Sequence, residues 1–583
     1  MYEKLRQPDF DRYRKPEALS LFLSAGEIDI CRPFAPWQLP EEPTWREDPH
    51  GDDTWGLYYH ALGWMIILDH GIDNAPNAET RSACSGRLEH LLFSYLRHVV
   101  ETPEEEVHRM LWFDHATAWR ASAIAYLYQR RFKDKASPDE TALFRAAARR
   151  HEEKLREFIE SGRWNANNHG IFHAEALWDL VQVFEGPDDG LAEIALGHMR
   201  NVFSNMIDFE EGVCREQSIY YHLFDASLLA DSARYMEGFG VEVVPGYKEI
   251  LARMLDFFHA FCPQGEFLQS IGDTQFGKKP DSRLLQNISS AAPHWELAGG
   301  EHPSDPTLRT FPRNGYYFFR EEANGNSPSS FAILIDKPYH GAHGHADGGS
   351  FMLNRGGEPF LVDSGGPYAY GKRLRFNYFK AAEAHNVAIL DEKSQNYLTR
   401  VTAISQAKLG NSVRLETVDL EGTTWQRTAV SLRGGTFVLI DRFLKGPADI
   451  VDVLFHLSPT IDVTQLSDST RRLKGEESFI DVWQASNAKL KTTLNSGEEG
   501  FPRGLLTRDL AKVEPGPVLS TRLRANDTWL VTVLGNAASP PLVQTLYGGK
   551  LVRVMTYAEQ AMAVDCSLDN HSLPPRIYSF RTH

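Results

Sequence analysis

The chain is poor in cysteine. Its 583 residues hold five, Cys31, Cys84, Cys214, Cys262 and Cys566, all far apart and none in a CxxC pair. That excludes a disulfide scaffold and a thiolate zinc module, and it fits free thiols in a reducing compartment. No apolar run approaches the ~20 residues of a membrane span. The opening MYEKLRQPDFDRYRKPEALS lacks a basic start followed by an apolar core, so no signal peptide is visible. The expected location is cytoplasmic, or periplasmic if the N-terminus has been trimmed. Basic residues are outnumbered, 61 against 78 acidic ones, giving a formal charge of −17. A general nucleic-acid binder would normally carry a basic face, so nucleic acid and membrane are excluded as partners, while homo-oligomerisation stays open. No fixed-period repeat appears, which excludes a consensus solenoid.

What is present divides the chain in two. The first half carries apolar residues at helical spacing, as in DDTWGLYYHALGWMIILDHG (Asp52 to Gly71), RLEHLLFSYLRHVVE, ATAWRASAIAYLYQRRF and GIFHAEALWDLVQVF. Short Gly, Pro, Asn and Asp loops join them. From about residue 305 short β-rich runs take over, among them SFAILID, SFMLNR, HNVAILD and TAVSLRGGTFVLIDRFL. The reading is a helical domain over 1–305 and an antiparallel β domain over 306–583, with Gly300 to Pro312 as linker.

Histidine is the unusual count, at 22, and His340, His343, His345 and His385 crowd one region. In YHGAHGHADGGSFMLNRGGEPFLVDSGG (Tyr339 to Gly366), His343 and His345 share one face if the segment is extended. Asp363 follows a Gly-Gly turn, and AEAHNVAIL places His385 at the start of a third strand. Two imidazoles and a carboxylate converging from three strands suit zinc. Three further constellations stand in the helical half. NANNHGIFHAEALW places Asn167, Asn168 and His169 ahead of a helix, where one Asn caps it and an amide beside an imidazole can serve a substrate carboxylate. GVCREQSIYYHLFD carries Glu216, Tyr220, Tyr221 and His222; a Tyr pair on a helix usually packs, yet a Tyr near a cation can move a proton. WFDHATAWR offers Asp114, His115, Trp119 and Arg120, either a cap with a surface Arg or an aromatic platform beside an anion holder.

The order of these motifs is more specific than any one. N-N-H, then E-x-S-x-x-Y-H, then H-x-H-A-D-x-G-S-F, L-V-D-S-G and A-H-N resemble the heparinase II/III-like polysaccharide lyases, from roughly Trp55 to Leu457. GHADGGSFMLNRGGEPFLVDSGGPYAY is the most telling stretch. The resemblance implies an N-terminal (α/α) toroid followed by a C-terminal antiparallel β-sandwich. It implies β-elimination at a uronic acid of an anionic polysaccharide or oligosaccharide, with Asn168 and His169 neutralising the carboxylate, Tyr221 shuttling protons and His343 assisting. His345, Asp363 and His385 match a structural zinc site, and Asp114, His115, Arg120, Asn167 and Glu216 are the substrate-binding candidates. Two other readings stay open, a zinc-dependent hydrolase built on the same three ligands and a carbohydrate-binding protein without turnover.

Overall fold

The computed structural model describes residues 11–31, 34–185, 190–261, 267–292, 307–321, 329–336, 343–367, 373–394, 398–418, 422–444, 446–498, 501–509, 512–536, 539–557, 560–570 and 572–581. His340, Cys262 and the first half of the expected linker lie outside them.

Helices begin where the capping chemistry puts them. The Asn77 side chain accepts the Thr80 N–H at 2.8 Å and starts Ala78–Glu101, which buries Leu88, Leu91, Leu92, Tyr95, Leu96 and Val99 along one stripe. Ser137 and Glu140 form a reciprocal capping box ahead of Pro138–Glu160. Asp114–Leu127 buries twelve of its 14 residues and is therefore surrounded by protein rather than laid on a surface. The run Asp52 to Gly71, expected as one helix, is two. Asp53–His60 stops before Leu62, whose φ of 58° is left-handed, and a short 3₁₀ turn leads into Ile66–Asn74. Among the described residues no helix is long and apolar enough to cross a membrane.

The last described helix of the helical region is Ser282–Ala291, and strands start at Thr307–Phe311. The chain forms two compact units, one of Met1–Ile207 with Leu228–Tyr247, the other of Asp208–Ser227 with Lys248–His583. The segment around Tyr221 therefore belongs to the unit that holds the β-sheets.

In that unit, an antiparallel eight-stranded sheet is covered on both faces. Alternation within its strands shows this. Trp425, Ala429, Phe437, Leu439, Leu530 and Leu534 join one core, with residues of the five-stranded sheet (Thr307–Leu361) and of the sheet containing Ala388–Leu390 and Ile450–His456. Val430, Leu432, Val438, Ile440, Val531 and Val533 join a second core with the C-terminal meander, through Val552, Val554, Met562 and Val564. Successive side chains point to opposite faces, so a strand buried on both sides reads as a continuous apolar run. TAVSLRGGTFVLIDRFL is such a run.

Buried polar bonds anchor the loops that carry the histidines. Arg427 pairs with Asp441 at 2.7 Å, both fully buried, and donates onward to the carbonyls of Gly349 at 2.8 Å and Asn386 at 2.6 Å. Asn386 donates to the Phe351 and Val362 carbonyls, both at 2.9 Å, and accepts the His456 N–H at 2.6 Å. Gly349 has φ +88°, and a Cβ there would meet the Trp425 ring at 2.7 Å. The last glycine of GHADGG thus permits both a left-handed turn and close packing.

Candidate functional site

Side chains capable of chemistry gather in three clusters. The first lies in the helical unit. Asp114 opens Asp114–Leu127, and Asn167 caps Asn168–Leu180, its side chain accepting the His169 N–H at 3.2 Å. On one helix His115 and Trp119 are four residues apart; on the other His169, Phe172 and His173 are three and four apart, so each set shares a face. The faces meet, with His115 and His169 ring centroids 3.8 Å apart. The Asp114 carboxylate accepts from His169 Nδ1 at 2.6 Å and lies 3.4 Å from His173 Nε2. Trp164 stacks flat on His169 at 4.7 Å, interplanar 2°. Burial acts to raise the Asp114 carboxyl, but the bonds from His169 and His173 outweigh it and hold it well below its usual range. Burial pushes His115 down to about 3, so it stays neutral beside His169. Asn168 is buried in the first helical turn.

Arg120 is placed elsewhere. It is fully buried and donates to His151 Nε2 at 2.7 Å and to the His60 carbonyl at 2.9 Å, with its charge over the Tyr95 and Trp112 rings. Its guanidinium joins helices from within, so the anion-holding role expected of it does not fit its burial. Asn167 is likewise engaged as a cap.

The second cluster lies in the β-bearing unit. Ser218 accepts the Tyr221 N–H at 3.4 Å and meets Thr274 Oγ1 at 2.9 Å, which fixes the start of Ile219–Glu237. Tyr221 then stacks on His343, centroids 3.5 Å apart at 17°. Tyr220 points away and lies under the Lys278 ammonium at 4.9 Å. His343 Nδ1 is 2.9 Å from Asp273 Oδ2, and its Nε2 is 3.8 Å from Glu216 Oε2. Glu216 is buried; burial, with the charges of Asp225 and Asp273, pushes its carboxyl well above its usual range. Asp225, joined to Cys214 Sγ at 2.8 Å, is pushed by burial up to about 7.

Asp273 is the residue that sequence reasoning missed. It accepts from His343, from His345 Nε2 at 3.1 Å and from Arg375 at 2.5 Å. Burial acts to raise it, and these three donors hold it far below the usual carboxylate range. Its backbone N–H donates to the His343 carbonyl at 2.9 Å. A Cβ on Gly366 would sit 2.5 Å from Asp273 Oδ1, so the second glycine of D-S-G-G makes room for this hub. Burial lowers His343 and the Asp273 bond opposes it, with a net lowering that leaves the ring neutral at pH 7.

The third cluster is His345, Asp363 and His385, all fully buried, with one ligand atom from each within 4.8 Å of the others. His385 Nδ1 and Asp363 Oδ2 are 2.7 Å apart. His345 Nδ1 is buried without a hydrogen-bond partner, while its Nε2 is turned to Asp273. A buried imidazole nitrogen aimed at a carboxylate and a second imidazole, with its other nitrogen held by an outer carboxylate, fits a zinc ligand set.

Residues 303–508 match the family described as Heparinase II/III-like, C-terminal. A search of curated proteins finds no match. Among solved structures, Heparinase III superposes with TM-score 0.71 at 15% identity, covering 100% of this chain and 94% of that one. Heparan sulfate lyase HepC from Pedobacter heparinus superposes with TM-score 0.68 at 14% identity, covering 97% and 93%. Residues 303–508 therefore match the heparinase II/III-like C-terminal family model, in line with the resemblance of the histidine-rich motif, on a chain that shares the helix-then-sheet fold of heparinase III.

Proposed function

We propose that the protein is a polysaccharide lyase that cleaves a uronic-acid-containing glycan by β-elimination. The fold and family support lyase chemistry, since the similar structures named above include a heparan sulfate lyase. The observation that carries the reading is the Tyr221–His343 stack with His343 tied to Asp273. A buried carboxylate on Nδ1 selects the tautomer whose Nε2 holds the lone pair. A phenol and a neutral imidazole in contact are suited to moving a proton off one atom and onto another.

The reaction needs both movements. The proton on C5 leaves to a base, its electrons form the C4=C5 double bond, the C4–O bond breaks, and the departing oxygen takes a proton. The adjacent carboxylate resists the build-up of charge on C5, so neutralising it lowers the barrier. Asn168 and His169 are assigned to that carboxylate, with Asp114 and Trp164 positioning the His169 ring. Tyr221 is the proton shuttle and His343 its assisting base, held by Asp273. Glu216 lies behind His343 and positions it. His345, Asp363 and His385 are assigned to a structural zinc ion, whose chemistry is to brace their loop. The complete burial of all three ligands leaves no exposed coordination position, which favours bracing over hydrolysis.

The test is a screen of purified protein against sulfated glycosaminoglycans, alginate and other uronate polymers and oligomers. Release of unsaturated uronate, followed by its ultraviolet absorbance, is expected with at least one. Absence of that product from folded protein that retains its tightly bound zinc and is free of excess zinc, with every substrate, overturns the proposal.

A further inference from the structure

We propose that Asp114, His115 and His169 form a second, exchangeable site for a zinc-class transition-metal ion, housed wholly in the helical unit. The proposal stands on geometry that mirrors the buried cluster of the other unit. There, an Asp–His pair at 2.7 Å is joined by one further imidazole. Here, the Asp114–His169 pair at 2.6 Å is joined by His115, again with one ligand atom from each within 4.8 Å of the others. An ion entering either set takes the place of the proton shared by the pair, and that proton leaves to solvent.

Three observations favour an ion at this place over a plain hydrogen bond. The Asp114 side chain is 4% exposed, yet its Oδ1 has no hydrogen-bond partner. A buried carboxylate oxygen left bare is costly, and a ligated ion satisfies it. The donors are two imidazoles and one carboxylate, which suit zinc, cobalt or copper and are poor ligands for calcium or magnesium, whose sites are built from oxygens. The surroundings also hold the rings in place: Trp164 stacks on His169, Trp119 lies 4.8 Å from His115, and His173 Nε2 backs Asp114 at 3.4 Å.

The two sites differ in exposure, and that difference sets their behaviour. The sheet-borne cluster is sealed. The His169 side chain is 27% exposed, so an ion here keeps a coordination position open to water or an anionic ligand and exchanges with solvent. If the proposed function is right, His169 serves the substrate carboxylate, and filling this site slows turnover. That consequence rests on the proposed function; the site itself does not.

The experiment is a zinc titration of metal-stripped protein by calorimetry, with metal analysis after desalting. The wild type is expected to take two ions, one retained through desalting and one lost. His115→Ala should weaken the second by about 100-fold and keep the first. His385→Ala should lose the retained ion and keep the exchangeable one. His115→Gln, with circular dichroism on every variant, stands in if the alanine variant fails to fold. Calcium should compete for neither ion. A wild type that takes one ion only overturns the proposal, as does a second ion that persists unweakened in a folded His115 variant. Neither readout involves substrate, so a failure of the lyase assignment is seen separately, as absence of unsaturated product.

Discussion

Replacing Asp273 by Asn tests the centre of the proposed chemistry with a change of one charge and almost no volume. The carboxylate is 1% exposed and accepts from His343 at 2.9 Å, His345 at 3.1 Å and Arg375 at 2.5 Å. An amide has one accepting oxygen, so at least one of the three N–H groups faces an NH₂ instead, and Arg375 keeps a buried charge without its counter-ion. Each charge-assisted bond contributes ~1.5–3 kcal/mol. Breaking a buried ion pair by removing one partner costs ~3–5 kcal/mol. The protein should therefore unfold at lower denaturant while still folding at 25 °C. For turnover, the Nδ1–H of His343 loses the acceptor that selects its tautomer and orientation. Loss of a positioned proton-transfer group costs about 10²–10⁴-fold, and this should fall on kcat. KM should move less than about threefold, because Asn168 and His169 are untouched. The assay is steady-state release of unsaturated uronate over pH 5 to 9, beside urea unfolding of both proteins. A folded Asp273→Asn with kcat within about threefold of wild type refutes the assignment of Asp273 as the group that holds His343.

Tyr221→Phe should lose about 10²–10⁴-fold in kcat and Tyr220→Phe less than tenfold, read in the same assay; equal losses would remove the distinction drawn from the His343 stack. His385→Ala should release the zinc of the sealed cluster and lower thermal stability by ~3–5 kcal/mol, because buried Asp363 loses its imidazole partner and keeps only the Gly365 N–H; unchanged melting in the presence and absence of a chelator would contradict this. Acid should destabilise the fold. Burial holds His222 down to about 4, below its ordinary 6.5, so the unfolded chain binds the extra proton. Stability is then full above pH 6.5 and is lost as pH falls toward 4, a slope that His222→Gln should reduce in urea melts. Asp225 runs the opposite way. Its carboxyl is pushed from 3.8 up to about 7, so its contribution is full below pH 4 and declines as pH rises through 7. Asp225→Asn, which keeps an acceptor for the Cys214 thiol, should stabilise the protein at pH 8 by up to ~4 kcal/mol and much less at pH 4; a destabilised variant at pH 8 would show that the carboxylate form is the native one.

The parts of this molecule legible in its sequence are those written in periodicity or in dense local motifs. Ala78–Glu101 and Asn168–Leu180 could be read because their apolar spacing and Asn caps agree. Thr424–Leu432 and Thr436–Phe443 of the eight-stranded sheet could be read as strands, since TAVSL and TFVLI flank a Gly-Gly turn. The His345, Asp363 and His385 cluster could be read because all three residues fall within 41 positions of one another. Asp273 could not. It stands in an irregular loop, and its partners His343 and Arg375 lie 70 and 102 residues on. A carboxylate that acts through partners so distant leaves no local pattern. Arg120 was visible in the sequence but its burial was not: DHATAWRASAIAYL mixes alanines with Asp, His, Thr, Arg and Ser, and only the structure shows that twelve of its 14 residues are enclosed. The break at Leu62 has only a weak sequence cue, the single Gly63 beside it, because a leucine seldom takes a left-handed φ of 58°.

The acid composition and the proposed anionic substrate are reconciled by where the charges stand. The formal charge of −17 belongs to the chain as a whole. Around His343, burial and neighbouring acids push the Glu216 carboxyl well above its usual range, which weakens its negative charge. Asp273 is the one ionised acid in direct contact with the ring, and Arg375 and Lys380 both act on it as positive charges. These two cations give an anion a local attraction inside an acidic protein. Charged groups separated by more than ~8 Å of salty solvent are largely screened, whereas buried ones are not. An approaching carboxylate or sulfate therefore meets the distant acidic surface weakly and the enclosed Arg375 and Lys380 strongly. Replacing Arg375 by Met would remove one of these two cations, so binding of a polyanion should weaken and its salt dependence should flatten. If binding kept the same salt dependence in Arg375→Met, the positive field would have to come from elsewhere on the chain.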